Sequence, residues 1–204
     1  MNPVLSVYLI RHGETEWSLS GQHTGSTEIA LTAHGEQMAR NLRSVLAGIA
    51  FTQVWVSPRL RARQTCDAAG LGDAAQTEPD LAEWDYGDYE SLRTVDIRKR
   101  RAAWSIWRDG CPGGESPREI SLRADALIDR VRKLEGRVAL FSHGHFGRVF
   151  AARWLGFPAA QGERFVLSPA TLSVLTMTQG NRPHPGERQL ELWNAPPTST
   201  HLRS

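Results

Sequence analysis

Three short polar clusters in this chain hold the residue types that phosphoryl chemistry needs. They are Arg11-His12-Gly13, Ser57-Pro58-Arg59-Leu60-Arg61 and Ser142-His143-Gly144-His145. A neutral imidazole is a competent nucleophile toward phosphorus, and a guanidinium holds phosphate oxygens with a bidentate fork. An arginine beside a histidine therefore suits an anionic substrate. A single Arg-His pair is most often a surface or capping feature. These clusters differ because each follows an apolar run of strand type, at 4–10, at Val54-Trp55-Val56 and at Val138-Ala139-Leu140-Phe141.

The elements that must position these clusters alternate between strand and helix patterns, which predicts an α/β architecture. After the strand at 4–10 comes a polar, glycine-bearing loop to about Ile29. Thr32 reads as an N-cap for a helix to about Ala47, with Met38, Leu42, Val45 and Leu46 on one face. A helix carrying Arg61, Thr65 and Ala69 follows the second strand. Residues 70–90 read as irregular, 92–108 as helical, and Asp109-Gly110-Cys111-Pro112-Gly113-Gly114 as a break. Pro117 opens a helix at its first position, with Ile120, Ala124, Leu127, Ile128, Val131 and Leu134 as its apolar stripe. The third strand leads into a helix to about Leu155. Strand-like runs occur at Phe165-Val166-Leu167, 172–178 and 189–193, and the tail after Ala195 reads as disordered. In a parallel sheet the three polar strand ends share one edge, so Arg11-His12, Ser57-Pro58 and Ser142-His143 should converge on one cleft.

Composition narrows the function classes. The 204 residues fit one domain, with hydrophobic content of 40% sufficient for a core. A formal charge of +2 is too small to imply nucleic acid. The run Arg98-Lys99-Arg100-Arg101 reads as the solvated face of a helix. No segment approaches the ~18 apolar residues of a membrane span, and no signal peptide is evident. Two cysteines, Cys66 and Cys111, are too few for a disulfide framework. A reduced, cytoplasmic enzyme is expected.

The string Arg11-His12-Gly13-Glu14-Thr15 after a strand resembles the signature of the histidine phosphatase superfamily, the phosphoglycerate-mutase-like enzymes. The stretch Ser57-Pro58-Arg59-Leu60-Arg61-Ala62-Arg63-Gln64-Thr65 resembles that family's second signature and places its catalytic arginine at Arg61. Arg59 and Arg63 lie two residues to either side, on other faces of the helix, and are read as facing solvent or salt bridges. Leu81-Ala82-Glu83-Trp84-Asp85-Tyr86-Gly87 looks like the family's acid-bearing loop. Motif register assigns the proton donor to Glu83, although Asp85 and Asp88 are equally candidates on composition alone. Trp84 and Tyr86 would wall that acid. Phe141-Ser142-His143-Gly144-His145-Phe146-Gly147-Arg148 resembles the second-histidine motif, with His143 on the transferring phosphoryl group. Gly21-Gln22-His23-Thr24-Gly25 is similar to a segment of the sedoheptulose-bisphosphatase-like and broad acid phosphatase members.

The resemblance implies a three-layer α/β/α domain over residues 1–195, with a mostly parallel central sheet. A helical insertion at about 84–120 would lie over the active site, and 196–204 would form a tail. It implies a phosphoric monoester hydrolase in which Arg11, His12, Arg61, Glu83 and His143 are catalytic. Gln22, His23, Thr24, Gly25, Ser57, Tyr86, His145 and Arg148 would contact substrate. His145 serves equally well as a helix cap or a core hydrogen-bonding group. Histidines at His12, His143 and His145 could also ligate a metal. Arg11 and Arg61 would repel the ion, so neither metal nor cofactor is expected. The partner would be a small phosphomonoester; neither nucleic acid nor a membrane is expected as a partner, and a homodimer is one assembly to test. A phosphoglycerate-type mutase is the alternative. Ser18 where mutases carry asparagine, and the short segment between Glu83 and His143, both weaken it.

Overall fold

The computed structural model describes residues 3–178 and 187–198. Six strands form one sheet: β1 (Pro3–Arg11), β2 (Gln53–Val56), β3 (Ala75–Thr77), β4 (Gly136–Ser142), β5 (Leu172–Thr178) and β6 (Arg188–Ala195), in the order β3-β2-β4-β1-β5-β6. Strands β3, β2, β4 and β1 run parallel, while β5 is antiparallel to both β1 and β6. The mostly parallel sheet is the architecture expected from sequence.

Alternation along the central strands explains the two covering layers. Leu5, Val7 and Leu9 of β1, with Val138 and Leu140 of β4, join one buried cluster. Helices α6 (Pro117–Val131) and α7 (Gly144–Trp154) supply Ile120, Ala124, Leu127, Phe146, Val149 and Phe150 to it. The intervening Ile10, Ala139 and Phe141 face the other side, against Leu42, Val45 and Leu46 of α2 (Ala33–Leu46) and Ala62 and Cys66 of α3 (Leu60–Ala68). Strands buried on both faces must read as continuous apolar runs, which is why β1, β2 and β4 were legible. Thr32 caps α2, and Ser116 caps α6 with a reciprocal bond from Glu119.

Four local expectations are corrected. The loop after β1 contains α1 (Glu16–Ser20), capped by a reciprocal Thr15–Ser18 pair. The span 70–90 contains the three-residue β3, together with tight 3-10 turns. The single helix expected at 92–108 is two, α4 (Thr94–Arg100) and α5 (Ile106–Asp109). Between them the chain turns so that Trp104 is buried and its indole N–H reaches the Gly110 carbonyl. Phe165-Val166-Leu167 is not a strand but a loop, and its Leu167 carbonyl accepts the Arg11 guanidinium. Of the tail at 196–204, residues 199–204 lie outside the described residues.

Candidate active site

The parallel register sets the site. Arg11 of β1 pairs with Ser142 of β4, and Val56 of β2 pairs with Phe141, so the three strands end level with one another. The His12 amide continues the ladder by donating to the Ser142 carbonyl at 2.9 Å. Next, the chain turns through Gly13, where a Cβ would meet the Gly35 carbonyl oxygen at 2.6 Å. Only glycine lets the catalytic loop seat this closely on the start of α2.

His12 is buried, and its Nδ1 lies 2.7 Å from the Gly13 carbonyl oxygen. That acceptor fixes the hydrogen on Nδ1 and leaves the Nε2 lone pair free. Burial, followed by the positive charge of Arg61 and Arg11, holds the imidazole well below its ordinary pKa. The result is a neutral imidazole whose Nε2 carries a free lone pair.

Four groups surround it. Arg61 sits in the first turn of α3 and is wholly buried. Its Nη1 donates to the Thr27 carbonyl at 3.1 Å, and its Nη2 to those of Thr24 at 2.8 Å and Gly25 at 3.1 Å. His143 is the N-cap residue of α7, with its ring centroid 5.2 Å from that of His12. Ser57 lies 2.7 Å from His143 Nε2, and its Oγ accepts the Arg59 amide. A Ser57 hydroxyl that donates to Nε2 leaves the hydrogen of the neutral His143 ring on Nδ1, the nitrogen that has no partner in the protein. Burial also lowers the His143 pKa, followed by the charge of Arg61. Arg11 lies against the start of α7, where a Cβ on Gly144 would come within 3.2 Å of its Cζ. The Nε of Arg11, the Nε of Arg61 and Nδ1 of His143 are all buried without a hydrogen-bond partner in the protein.

Glu83 is the fourth group. Its Oε1 accepts the amides of Trp84 at 2.9 Å and Phe146 at 2.7 Å, and its Oε2 accepts the His145 amide at 3.0 Å. The first turn of α7 thus grips the carboxylate, the usual use of free amides at a helix start. One lone pair on Oε2 remains for a proton.

Arg11, His12 and Glu83 line one part of a cavity of about 230 Å³, whereas Arg61 and His143 are fully buried and do not line it. At the other end stand His23, Tyr86, His145 and Arg148, with Trp17, Thr94 and Leu167 around them. His23 stacks on Tyr86 with centroids 4.6 Å apart, and the Tyr86 hydroxyl lies 2.7 Å from His145 Nδ1. Burial pushes His23 down to about 4 and also holds His145 below its ordinary value, so both rings are neutral at pH 7. Arg148 lies over the Trp107 ring and donates to the carbonyls of Gly162 and Glu163.

Most expected residues meet here. Gln22 and Thr24 also line the cavity. Ser57 and Gly25 stand behind it: Ser57 holds His143, while Gly25 offers its carbonyl to Arg61. Arg59 and Arg63 turn away, toward the Ser26 and Pro58 carbonyls. Asp85 is exposed and caps the Gly87 amide, and the carboxylate that lines the cavity is Glu83. Trp84 does not wall the acid: its indole enters the core edge-on to Trp107 and donates to the Glu115 carbonyl. Trp17 and Thr94 were missed, although Trp17 follows the His12 motif closely. Leu167 carried no sequence signal.

A family model described as the histidine phosphatase superfamily (branch 1) matches residues 7–195. The chain belongs to the histidine phosphatase superfamily. Among its relatives there, an acid phosphatase of Mycobacterium tuberculosis is 40% identical over 178 residues, covering 85% of this chain and 87% of that one. A sedoheptulose 1,7-bisphosphatase of Saccharomyces cerevisiae is 43% identical over 180 residues, covering 72% of this chain and 66% of that one. The solved structure of an open reading frame product from Mycobacterium tuberculosis matches with a TM-score of 0.85 at 36% identity, over 94% of this chain and 98% of that one. Among the described residues no helix is long and apolar enough to cross a membrane, and no group of three or more His, Cys, Asp or Glu is placed to hold a metal ion.

Proposed function

We propose that this superfamily member hydrolyses phosphomonoesters of small metabolites, sugar phosphates among them, through a phosphohistidine at His12. The observation that carries the reading is the set of three buried, unpartnered nitrogens, Arg11 Nε, Arg61 Nε and His143 Nδ1, around a neutral His12. Buried donors without acceptors are costly, about 1–3 kcal/mol each, unless a ligand supplies the oxygens.

The chemistry follows from these atoms. His12 Nε2 attacks phosphorus in line while its Nδ1 hydrogen stays on the Gly13 carbonyl. The P–O ester bond breaks, and Glu83 gives its proton to the leaving oxygen, releasing an alcohol. Arg11, Arg61 and His143 donate to the equatorial oxygens, where charge is spread in the transition state. Water then attacks phosphorus from the vacated side. The Glu83 carboxylate takes its proton, the N–P bond breaks, and phosphate leaves with the Nε2 lone pair restored. Every positive charge in this scheme comes from the chain itself, so turnover needs no metal.

The cavity is small for a drug-sized ligand, and its far wall offers neutral hydrogen-bonding rings and one arginine. A polyhydroxyl leaving group fits that wall. The two buried free thiols, Cys66 and Cys111, suit a reducing, cytoplasmic setting.

The test is a phosphate-release screen over sugar phosphates, phosphoglycerates and phospho-amino acids, with and without EDTA. Release from sugar phosphates that survives chelation is the expected result. Loss of activity in EDTA with rescue by a divalent ion would overturn the metal-free mechanism. Isomerisation of 3-phosphoglycerate with catalytic 2,3-bisphosphoglycerate and little phosphate release would restore the mutase alternative.

A further inference from the structure

The Arg61 guanidinium is a buried cation whose hydrogen-bond acceptors are three backbone carbonyls. Those carbonyls belong to the 24–27 loop, which has little secondary structure of its own. Something must keep them aimed. The amides of the same loop point to Glu90: its carboxylate oxygens accept Gly25 N–H at 3.0 and 2.9 Å, and its Oε1 accepts Thr27 N–H at 3.0 Å. The peptide between Thr24 and Gly25 is shared. Its carbonyl faces Arg61 and its N–H faces Glu90, so a single peptide group is polarised between an anion and a cation.

Two further features hold this arrangement. Gly25 is packed so closely that a Cβ would lie 2.9 Å from Glu90 Oε2 and 2.8 Å from the Trp84 carbonyl oxygen. Ser91 adopts φ 66°, a left-handed conformation that costs a non-glycine residue energy. In that conformation its N–H donates to the His23 carbonyl at 2.9 Å and its carbonyl accepts Gln22 Nε2 at 3.0 Å. The Leu92 carbonyl accepts the His23 amide at 2.9 Å. Residues 90–92 thus clamp 22–27 along its length.

We infer that Glu90 is a positioning residue for Arg61: it orders the 24–27 loop, whose carbonyls hold the guanidinium with its Nε–H free for a phosphoryl oxygen. A carboxylate paired directly with Arg61 would compete with the substrate for the same donors. Relaying the negative charge through a peptide group steadies the cation and leaves that donor available. Glu90 touches no reacting atom, so its effect must pass through Arg61.

This inference rests on the phosphatase reading, and the experiment separates the two. Wild-type turnover of p-nitrophenyl phosphate and inhibition by orthovanadate are measured first. Glu90→Gln is expected to lower kcat per folded molecule by about 10- to 100-fold and to weaken orthovanadate by a similar factor. The same substitution in an Arg61→Ala background is expected to change kcat by less than about twofold, because the group it positions is gone. Equal fold-losses in both backgrounds, or wild-type kcat in Glu90→Gln, would overturn the proposal. If Glu90→Gln folds poorly, Glu90→Asp enters the same cycle, with a smaller loss that again vanishes without Arg61. A wild-type protein that released no phosphate would fault the phosphatase reading alone. The cycle is then read from inorganic phosphate binding, where the same non-additivity is expected and additivity overturns the proposal.

Discussion

The two ends of the active-site cavity are built differently. At the phosphate end, Arg11, His12, Ser57 and His143 stand at the ends of the central strands β1, β2 and β4, and Arg61 follows in the first turn of α3. Each is held by at least one hydrogen bond to a backbone carbonyl or to another of the group, with Arg11 Nε, Arg61 Nε and His143 Nδ1 left over. At the far end, Tyr86 and Thr94 come from the segment between β3 and α6, and His23 from the loop after α1. Their contacts are ring stacking and side-chain hydrogen bonds. The strand ends cannot move without disturbing the sheet core, whereas in the far wall His23, Tyr86 and Thr94 come from connections and only His145 and Arg148 are carried by the core helix α7. The proposed nucleophile and phosphate donors thus sit at the sheet edge, while the acid Glu83 shares the β3–α6 connection with Tyr86 and Thr94, an arrangement whose division of labour site mutations can test.

Removing the nucleophile should have the largest effect. His12→Ala is expected to reduce turnover at least ~10⁴-fold on every substrate, with little change in Tm. Rapid quenching of the wild type with labelled substrate should trap acid-labile, alkali-stable phosphate, absent from the variant. Substantial activity in His12→Ala would break the comparison at its base.

Glu83→Gln comes next and should depend on the leaving group. Alkyl phosphates should slow by about 10²–10⁴-fold, and p-nitrophenyl phosphate far less, since its leaving group needs little protonation. Equal losses on both would remove the general-acid assignment. Asp85→Asn should have a smaller effect on either.

Substitutions in the far wall should redistribute activity rather than abolish it. Tyr86→Phe, which removes the partner of His145 Nδ1, is expected to shift kcat/KM ratios among sugar phosphates by about 3- to 10-fold. It should leave p-nitrophenyl phosphate kcat nearly unchanged. A uniform collapse across substrates would show that the two ends are one unit.

The smallest effect concerns stability. Burial lowers the pKa of His12, His23, His143 and His145, so below the unfolded value of about 6.5 the unfolded chain binds more protons than the folded one. Stability present at pH 7 is lost as pH falls through that window. His23, pushed to about 4, should alone account for about 2 kcal/mol at pH 5. A Tm that falls from pH 7 to pH 5, and falls less in His23→Asn, checks the sign. Meanwhile His12 stays neutral, so kcat/KM should show no loss through the ordinary histidine range.

The same division explains what could be read from sequence. β1, β2 and β4 announced themselves because apolar side chains on both of their faces pack into the two core clusters, and their polar ends followed at once. Arg61 and Glu83 needed motif register, since nothing in local spacing separates Arg61 from Arg59 or Glu83 from Asp85. The far wall was only half legible. His23 and Tyr86 came in with the motifs that contain them, but Thr94 and Leu167 reach the cavity through tertiary packing. The break between α4 and α5 was hidden because Trp104 is buried by a turn, and an apolar residue at helical spacing looks the same in either case. Ser57 was recognised as a substrate contact, but its hydroxyl bonds His143 Nε2 instead of lining the cavity, a consequence of strand register invisible in one dimension.

The grip of α7 on Glu83 gives the enzyme a built-in reporter. The amides of His145 and Phe146 each donate to a carboxylate oxygen whose charge, in the proposed mechanism, would change twice per catalytic cycle. Their nitrogen resonances should move with the protonation of the acid, and their exchange with solvent deuterium should slow whenever the carboxylate is ionised and holds them tightly. Spectroscopy of two backbone positions could thus follow the travelling proton without any label at the chemistry itself.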